Sequence, residues 1–389
     1  MKGDNVTNAV LLLEDGSAWA GVVQGAFCFD WVFGEVVFNT SMCGYEEILT
    51  DPSYAGQIVV MSAPHIGNYG ITLEDQESQR VHTKGLIVRE LSTIYSSPRG
   101  RESLTKLMES NEVPILSGVD TRSLVKHLRN NGVMKGRIII QTNTIQHHLL
   151  ELQSYPDVMA FDWVKEVTIA EARHCGTGWP RIVVYDFGCK DGILRSLQGL
   201  GCEVVLVPAH TKAENALAYD PHGILLSNGP GDPSVLTTIV NEIKVFIEKK
   251  MPLFGICLGH QLLAMALGAK TYKLKFGHRG SNHPVKDLKS GKVLITSHNH
   301  GYAVKADSLP EDVEPTFVNL YDQTLEGFRH KTLPLLSVQF HPEGSPGPRD
   351  ALYLFQEWVD TVKNVKTVSR ETFLPIYLKS EKGRYASTN

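Results

Sequence analysis

The chain has 389 residues, of which 42% are hydrophobic and 21% charged, and its formal net charge is −4. This composition is typical of a soluble globular protein, and the length predicts two domains. A weakly acidic chain lacks the basic surface that binds nucleic acid, and no apolar run is long enough to span a bilayer. We therefore expect neither a nucleic-acid partner nor a membrane partner.

The cysteines are scattered along the chain and none are spaced as C-x-x-C, which favours reduced thiols over a disulfide framework or a structural zinc site. They are Cys28, Cys43, Cys175, Cys189, Cys202 and Cys257. The N-terminus leads into a strand-like run at residues 9–13 and has no signal-peptide pattern. We expect a cytoplasmic location, although a transit peptide that had been removed would leave no trace here.

Residues 1–150 predict a mixed α/β domain. The predicted strands are 10–14, followed by an Asp15-Gly16 hairpin turn, 35–40 and 57–61. The predicted helices are a short one within 40–54, ended by a proline-containing turn, then 103–110 and 121–129, the last capped by Asp120. This region contains no self-sufficient group of catalytic residues. On its own pattern it is a binding or assembly domain.

Residues 151–179 lose clear periodicity and end in a glycine-rich stretch before Pro180, which predicts a linker. Residues 180–366 then alternate strands and helices. The predicted strands are 181–186, 203–208, 223–227 and 252–257, and the predicted helices are 191–200 and 235–249. This order predicts an open, mostly parallel sheet with helices on both faces, whose sites lie beyond the strand C-termini. Residues 367–389 form a C-terminal tail.

Cys257 lies between Gly255 and Gly259, where a predicted strand turns into a predicted helix. This is the G-x-S-x-G nucleophile-elbow pattern with a thiol in place of the hydroxyl. The N–H groups at a helix N-terminus favour the thiolate, which is the nucleophilic form. A small buried cysteine in an ordinary strand–turn–helix would give the same pattern. The elbow alone therefore leaves both interpretations open.

Two other segments follow predicted strands. Residues 227–233 include Gly229 and Gly231, whose lack of side chains lets backbone N–H groups approach a ligand. Farther along, Pro342 biases His341 toward an extended conformation, in which His341 and Glu343 point to the same side. A carboxylate that orients an imidazole, together with a cysteine, supplies a nucleophile, a base and an orienting group for acyl transfer.

These motifs resemble, in order and spacing, the class I (triad-type) glutamine amidotransferases. The resemblance rests on residues 255–261 (GICLGHQ), 227–233 (SNGPGDP) and 339–343 (QFHPE). Residues 38–42 (FNTSM), 51–54 (DPSY), 64–68 (PHIGN), 117–122 (SGVDTR) and 297–302 (SHNHGY) further resemble the small subunit of carbamoyl-phosphate synthase. The resemblance covers nearly the whole chain and is weakest in the linker and after about residue 366.

The resemblance implies that Cys257 attacks the side-chain amide of glutamine, that His341 transfers protons and that Glu343 supports His341. It implies an oxyanion site at the N–H of Leu258 and the Gly229 loop. The other glutamine-binding residues implied are Ser53, Gly231, Gln261, Asn299, Gly301 and Tyr302. Tyr302 stands where some relatives carry phenylalanine. It also implies that L-glutamine is the substrate and that a large synthetase subunit is the partner.

Three further signals receive no chemical role. His298 and His300 have metal-ligand spacing, but no third ligand stands beside them, so we expect no metal. The polar segment 276–284 matches the family and is interpreted as the rim of the site. The basic residues Lys379, Lys382 and Arg384 are interpreted as a solvated tail.

The expected function is therefore that of the glutaminase subunit of carbamoyl-phosphate synthase, which feeds arginine and pyrimidine synthesis. The sequence has no Walker-type phosphate loop. We expect no cofactor on this chain, with ATP and Mg²⁺ on the large subunit. Two alternatives remain: a stand-alone cysteine hydrolase of γ-glutamyl or peptide bonds, which leaves the N-terminal domain unexplained, and a non-catalytic regulatory subunit.

Overall fold

The structure is a computed structural model that describes residues 6–24, 30–72, 74–140 and 145–365. The tail beyond residue 365, Cys28 and residues 1–5 lie outside these ranges. None of the helices in the described ranges combines the length and apolar character needed to cross a bilayer.

The strands are β1 (Val6–Leu13), β2 (Ala18–Gln24), β3 (Trp31–Asn39), β4 (Gln57–Met61), β5 (His65–Ile66), β6 (Gly85–Ile87), β7 (Glu90–Leu91), β8 (Ile115–Ser117), β9 (Met134–Ile139), β10 (Arg173–Cys175), β11 (Arg181–Asp186), β12 (Glu203–Pro208), β13 (Gly223–Leu226), β14 (Leu253–Ile256), β15 (Thr271–Asp287), β16 (Val293–Val304), β17 (Val313–Asn319), β18 (Leu325–His330) and β19 (Leu335–Val338). The α-helices are α1 (Tyr45–Thr50), α2 (Leu104–Ser110), α3 (Thr121–Asn131), α4 (Ile145–Ser154), α5 (Val164–Val167), α6 (Asp191–Gly199), α7 (Ala213–Leu217), α8 (Thr237–Glu248), α9 (Leu258–Ala266) and α10 (Tyr353–Asn364). Short 3₁₀ turns occur at Pro52–Tyr54, Val158–Ala160, Pro233–Val235 and Ala306–Ser308.

The N-terminal region is built around a closed barrel with the strand order β1-β2-β8-β6-β4-β3-β9. One buried apolar cluster takes a residue from each of these strands: Leu11, Val23, Val36, Ile58, Ile87, Leu116 and Ile138. Leu124 and Leu128 of α3 belong to the same cluster. Gly136 of β9 has no room for a side chain, because an added Cβ would lie 2.3 Å from Val36 Cγ2.

The mixed α/β prediction for this region is confirmed, but the sequence did not predict closure. Strands β6 and β8 have three residues each and carry little alternation to recognise. The sequence patterns that predict single strands and helices were clearer in other parts of this region. The predicted strand at 57–61 coincides with β4, and the Asp120 side chain caps α3 by accepting from the N–H of Ser123 at 3.1 Å.

The C-terminal region contains a ten-stranded sheet with the order β10-β12-β11-β13-β14-β19-β18-β17-β15-β16. Strands β12, β11, β13, β14 and β19 run parallel. Residues along β11 alternate between two cores. Val183 and Tyr185 pack with α7, α8 and α9, whereas Ile182 and Val184 pack with α6 and α10. Helices therefore cover both faces of the parallel part, as the sequence predicted.

The expectation of a mostly parallel sheet is wrong for the other part. Strands β18, β17, β15 and β16 pair antiparallel, and β10 joins the opposite edge antiparallel to β12. The physical reason is the length of the connections. Between residues 287 and 335 the strands follow one another through short loops, whereas a parallel pair needs a crossover of a dozen residues or more.

The segment predicted as a linker, residues 151–179, carries regular structure. It contains the end of α4, the turn Val158–Ala160, helix α5 and the edge strand β10. Leu152 of α4 packs against Leu12 and Ile139 of the barrel, while β10 extends the C-terminal sheet. The segment therefore contacts both regions. The division into two domains at these boundaries stays a prediction.

Candidate active site

Cys257 lies at the turn between β14 and α9 in a backbone conformation that L-residues rarely adopt, with φ +55° and ψ −105°. Its N–H donates to the Val338 carbonyl at 2.9 Å, which ties the turn to β19. The flanking glycines are required by close backbone contacts. An added Cβ would lie 2.6 Å from the Gly259 carbonyl oxygen at position 255, and 2.1 Å from the Leu226 carbonyl oxygen at position 259. This strained turn has the backbone geometry of the nucleophile elbow that the sequence predicted, and the role of Cys257 as the nucleophile stays a prediction.

His341 and Glu343 are brought together immediately after β19. The His341 Nδ1 and Glu343 Oε1 atoms are 2.6 Å apart, and both side chains are buried. His341 Nε2 has no hydrogen-bond partner within the part of the chain that the structure describes. Cys257 is one of the groups that raise the pKa of this ring. One ring nitrogen is therefore oriented by a carboxylate, and the other is available to exchange a proton with the thiol.

Lys190, which no sequence motif indicated, completes this arrangement. Its Nζ lies 2.8 Å from Glu343 Oε1, and it also donates to the Ser345 carbonyl. Lys190 stands just before α6, far from Glu343 in sequence, so no local pattern connects them. The side chains of Lys190 and Glu343 are 2% and 1% exposed, which makes this a buried ion pair.

The charges of Lys190, Glu343 and His341 determine which of these three groups are protonated. Burial alone would raise the pKa of Glu343, but Lys190 and then His341 hold it well below its usual range. Burial alone would lower the pKa of His341, but Glu343 outweighs burial and raises it to about 10. Near neutral pH the site therefore contains an ionised carboxylate between two cations.

A pocket in front of Cys257 brings together every residue predicted to bind glutamine. These are Ser53, Gly229, Gly231, Leu258, Gln261, Asn299, Gly301 and Tyr302. Gln261 is fixed by bonds from its Nε2 to the Tyr302 carbonyl at 2.8 Å and to Gln339 Oε1 at 3.0 Å. His341 and Glu343 are not among the residues that line this pocket. The roles of these residues stay predictions, but the geometry allows them to act on one ligand.

The two residues predicted to hold the substrate oxygen through their N–H groups, Leu258 and Gly229, both line this pocket. Leu258 is the first residue of α9, and the first N–H groups of a helix have no partner within that helix. The Gly229 loop packs against Leu258, since a Cβ at position 229 would lie 2.8 Å from Leu258 Cδ2 and 2.2 Å from the Phe187 carbonyl oxygen. The close approach of the loop thus depends on glycine.

Two protein-family models match this chain, one in its N-terminal region and one in its C-terminal region. A model described as glutamine amidotransferase class-I matches residues 183–361, and one described as carbamoyl-phosphate synthase small chain, CPSase domain, matches residues 11–138. A carbamoyl phosphate synthase small chain of Akkermansia muciniphila is 49% identical over 361 residues, covering 90% of this chain and 96% of that protein. The corresponding proteins of Chlorobaculum tepidum and Thermus thermophilus are 47% and 46% identical, covering 92% and 91% of this chain and 98% and 93% of theirs. This chain belongs to the family of carbamoyl phosphate synthase small chains.

Among solved structures, a glutamine amidotransferase from Thermotoga maritima is 18% identical, with a TM-score of 0.35, and the match covers 47% of this chain and 93% of that one. In the present small-chain family member, the CPSase match begins within β1 and ends within β9 of the barrel, and the amidotransferase match begins within β11 and includes Cys257.

The two regions of this small chain meet at the pocket through a hydrogen-bond network. Asn228 Nδ2 donates to Ser53 Oγ at 2.8 Å, and Asn299 Nδ2 donates to Asp51 Oδ2 at 3.0 Å. Asp51 also caps the turn Pro52–Tyr54 by accepting from the N–H of Ser53 at 2.9 Å. The N-terminal region therefore forms one wall of the pocket. These contacts explain why Ser53 lies at the pocket, a position that only the resemblance had suggested.

The pocket also contains charged residues to which the sequence analysis gave no individual role. Glu35 of the barrel accepts from Gln57 Nε2 at 2.9 Å and pairs with Lys273 Nζ at 3.0 Å. Arg279, from the segment 276–284 interpreted as a rim, lines the same pocket and is buried. Glu35 and Gln57 pair across β3 and β4, where parallel register places them side by side. The sequence of one strand alone does not predict which residue of a neighbouring strand will lie beside each of its residues.

Proposed function

We propose that Cys257 of this chain hydrolyses L-glutamine through a glutamyl thioester and that the ammonia passes to a large synthetase subunit, which forms carbamoyl phosphate. As a member of the carbamoyl phosphate synthase small chains with a class I amidotransferase domain, the chain is the glutamine-hydrolysing component of that ligase. The observation that carries the mechanism is the strained Cys257 elbow beside the buried His341–Glu343–Lys190 chain.

In the first step, the Cys257 sulfur attacks the side-chain carbonyl carbon of glutamine after its proton has passed to His341 Nε2, so that the ring is a cation during the attack. A carbon–sulfur bond forms and the carbonyl electron pair moves to oxygen. The N–H groups of Leu258 and Gly229 would stabilise this oxyanion. The Glu343 carboxylate contacts Nδ1 of His341 and stabilises the positively charged ring, as the carboxylate does in other triads.

In the second step, the tetrahedral intermediate collapses and the carbon–nitrogen bond breaks. His341 returns its proton to the leaving nitrogen, so that ammonia departs neutral and a thioester remains on Cys257. A water molecule then attacks the thioester, with His341 taking one of its protons. Cleavage of the carbon–sulfur bond releases glutamate and regenerates the thiol, which balances the reaction as glutamine plus water to glutamate plus ammonia.

Free ammonia would be protonated in water, so a partner must receive it directly. We assign ATP, bicarbonate and Mg²⁺ to the large subunit, because this sequence has no Walker-type loop. The product would enter arginine and pyrimidine synthesis, and we place the complex in the cytoplasm.

The test separates hydrolysis from synthesis. Glutamate release is measured for the chain alone and with a large synthetase subunit, and carbamoyl phosphate formation is measured with glutamine or with ammonium chloride. Cys257→Ser should abolish both glutamine-dependent reactions and leave ammonia-dependent synthesis by the complex intact. Cys43→Ser is the control, because Cys43 is an exposed free thiol.

The alternatives give different results. Full glutamate release by the isolated chain, with no binding to a large subunit, would support a stand-alone hydrolase. Binding to the large subunit without glutamate release by the wild-type complex would support a non-catalytic regulatory subunit. Unchanged glutamate release by Cys257→Ser would refute the assignment of the nucleophile.

A further inference from the structure

Four buried side chains outside the triad converge on one point beside the pocket. His278, His298, His300 and Glu326 each offer one ligand atom, and these atoms lie within 4.8 Å of one another. From the sequence we expected no metal, because no third ligand stood next to His298 and His300. The structure supplies two more candidates, since β15 and β18 carry His278 and Glu326 to the neighbourhood of β16.

The outward-facing nitrogen of each histidine is already held. His278 Nε2 lies 2.8 Å from Asp322 Oδ2, His298 Nε2 lies 2.7 Å from Thr296 Oγ1, and His300 Nδ1 lies 2.8 Å from the Tyr302 carbonyl oxygen. Such partners orient metal-ligating histidines and fix which nitrogen carries the proton. The inward atoms are His278 Nδ1, His298 Nδ1 and His300 Nε2.

Glu326 supplies the independent observation. Its side chain is fully buried, and its Oε2 has no hydrogen-bond partner among the described residues. That oxygen lies 3.7 Å from His298 Nδ1, while Oε1 is held by Asn319 Nδ2 at 3.1 Å and lies 3.4 Å from His278 Nδ1. An unpaired buried carboxylate oxygen is costly unless a cation or a proton compensates it.

The spacing agrees with one tetrahedral ion. Ligand atoms about 2.0–2.1 Å from a zinc ion are about 3.4 Å apart at the corners of a tetrahedron. The inward atoms of His298 and His300 are 3.1 Å apart, and Glu326 Oε2 lies 3.7 Å from His298 Nδ1, while the 3.4 Å separation from His278 Nδ1 belongs to the other carboxylate oxygen, Oε1. The widest pair, at up to 4.8 Å, must close by about 1.4 Å to reach that spacing, so the side chains would have to move on binding.

We propose that His278, His298, His300 and Glu326 form a buried, four-ligand site for a divalent transition metal ion, and that Zn²⁺ is the ion that fits it. Three imidazoles and one carboxylate are a ligand set that zinc accepts, and four protein ligands leave no open position for catalysis. The site is therefore structural. It does not depend on the proposed glutamine hydrolysis.

The bound ion would stabilise the position of the residues that form one wall of the pocket. His300 stands between the pocket residues Asn299 and Gly301, and its ring is fixed to the carbonyl of Tyr302, which also accepts from Gln261. The site joins β15, β16 and β18 at this wall.

The experiment measures Zn²⁺ binding to the full-length chain carrying Cys257→Ser, because the thiol and His341 could bind zinc themselves. The protein is purified without an affinity tag, stripped with a chelator and titrated with Zn²⁺ in competition with a chromophoric chelator. We expect one bound ion per chain and, with Co²⁺ in its place, the visible absorption of a tetrahedral complex. His298→Gln and Glu326→Gln, each on the same background, should weaken binding by more than about 100-fold, beyond the usual effect of replacing a residue that only orients a ligand.

His283→Gln is the matched control. His283 is buried and its ring centroid lies 4.5 Å from that of His298, but it offers no atom to the set, so its replacement should leave the affinity within about tenfold. Circular dichroism checks that each variant is folded, and Glu326→Gln keeps the shape of the side chain if a histidine variant does not fold. Absence of stoichiometric Zn²⁺ and of the Co²⁺ absorption in the folded parent would overturn the proposal. So would unchanged affinity in folded Glu326→Gln, which would place the ion elsewhere.

Discussion

Replacing Lys190 by methionine tests whether the buried ion pair with Glu343 holds the site together. Methionine keeps most of the length of the side chain but removes the charge, so that among the described ion pairs the buried Glu343 carboxylate keeps only that with His341. Removing one partner of a buried ion pair costs about 3–5 kcal/mol, because the remaining charge is left uncompensated. We expect Lys190→Met to lower the free energy of unfolding by that amount at neutral pH, measured by urea denaturation.

The structure provides a matched control. The Lys212 Nζ–Glu242 Oε1 distance is also 2.8 Å, but the side chain of Lys212 is 64% exposed, against 2% for Lys190. Surface ion pairs contribute little, so Lys212→Met should not shift the urea midpoint measurably. A difference in stability between the two variants would then be due to the burial of the Lys190–Glu343 pair.

A double-mutant cycle with Glu343→Gln isolates the pair. If the uncompensated charge causes the loss, the double variant should be less destabilised than the sum of the single variants, because no charge is left unpaired. Lys190 and His341 lower the pKa of Glu343, so the stability it contributes is present above its unfolded pKa and is lost as pH falls. The effect of Lys190→Met should shrink below about pH 4.3. Strict additivity, or a loss equal to that of Lys212→Met, would refute the reasoning.

Two further predictions concern the elbow and acid stability. Gly259→Ala should cost about 1–3 kcal/mol and reduce glutaminase activity, because its Cβ would lie 2.1 Å from the Leu226 carbonyl oxygen. Gly199→Ala should stabilise the protein or be neutral, because no described atom outside its own helix backbone and its chain neighbours lies within 4 Å of the added Cβ. Equal unfolding midpoints for the two variants would contradict this. Burial lowers the pKa of His82 to about 4, so the folded protein should lose stability as pH falls from about 6.5 to 4, with about 3 kcal/mol due to this ring. His82→Gln should remove that increment in urea titrations across this pH range, and an unchanged slope would show that His82 is not responsible.

Local sequence signals predicted the elements accurately where one segment contains the whole cause. The apolar runs at 181–186 and 203–208 coincide with β11 and β12, and the strand predicted at 57–61 coincides with β4. The two glycines around Cys257 indicated the sharp turn because only the absence of a side chain permits it. Capping and periodic burial act within a few residues, and the sequence displays such causes directly.

Contacts between distant segments were decided only by the tertiary structure. Closure of the barrel depends on the three-residue strands β6 and β8, whose pairing follows from their neighbours. The contact of Lys190 with Glu343, and the approach of Glu326 to His298, join residues with no common spacing. Electrostatic and coordination energies depend on the distance between atoms, which the chain fixes only when it packs.

The sequence by itself thus determined the nucleophile elbow, the His-Pro-Glu segment and, through resemblance, the family. The tertiary structure decided which charges surround them. It placed Lys190 next to Glu343, brought Asp51 and Ser53 of the N-terminal region against the pocket, and grouped His278, His298, His300 and Glu326 beside it. A turn motif needs only neighbouring residues, whereas the protonation of a buried site depends on every charge within a few ångströms, whatever its position in the chain.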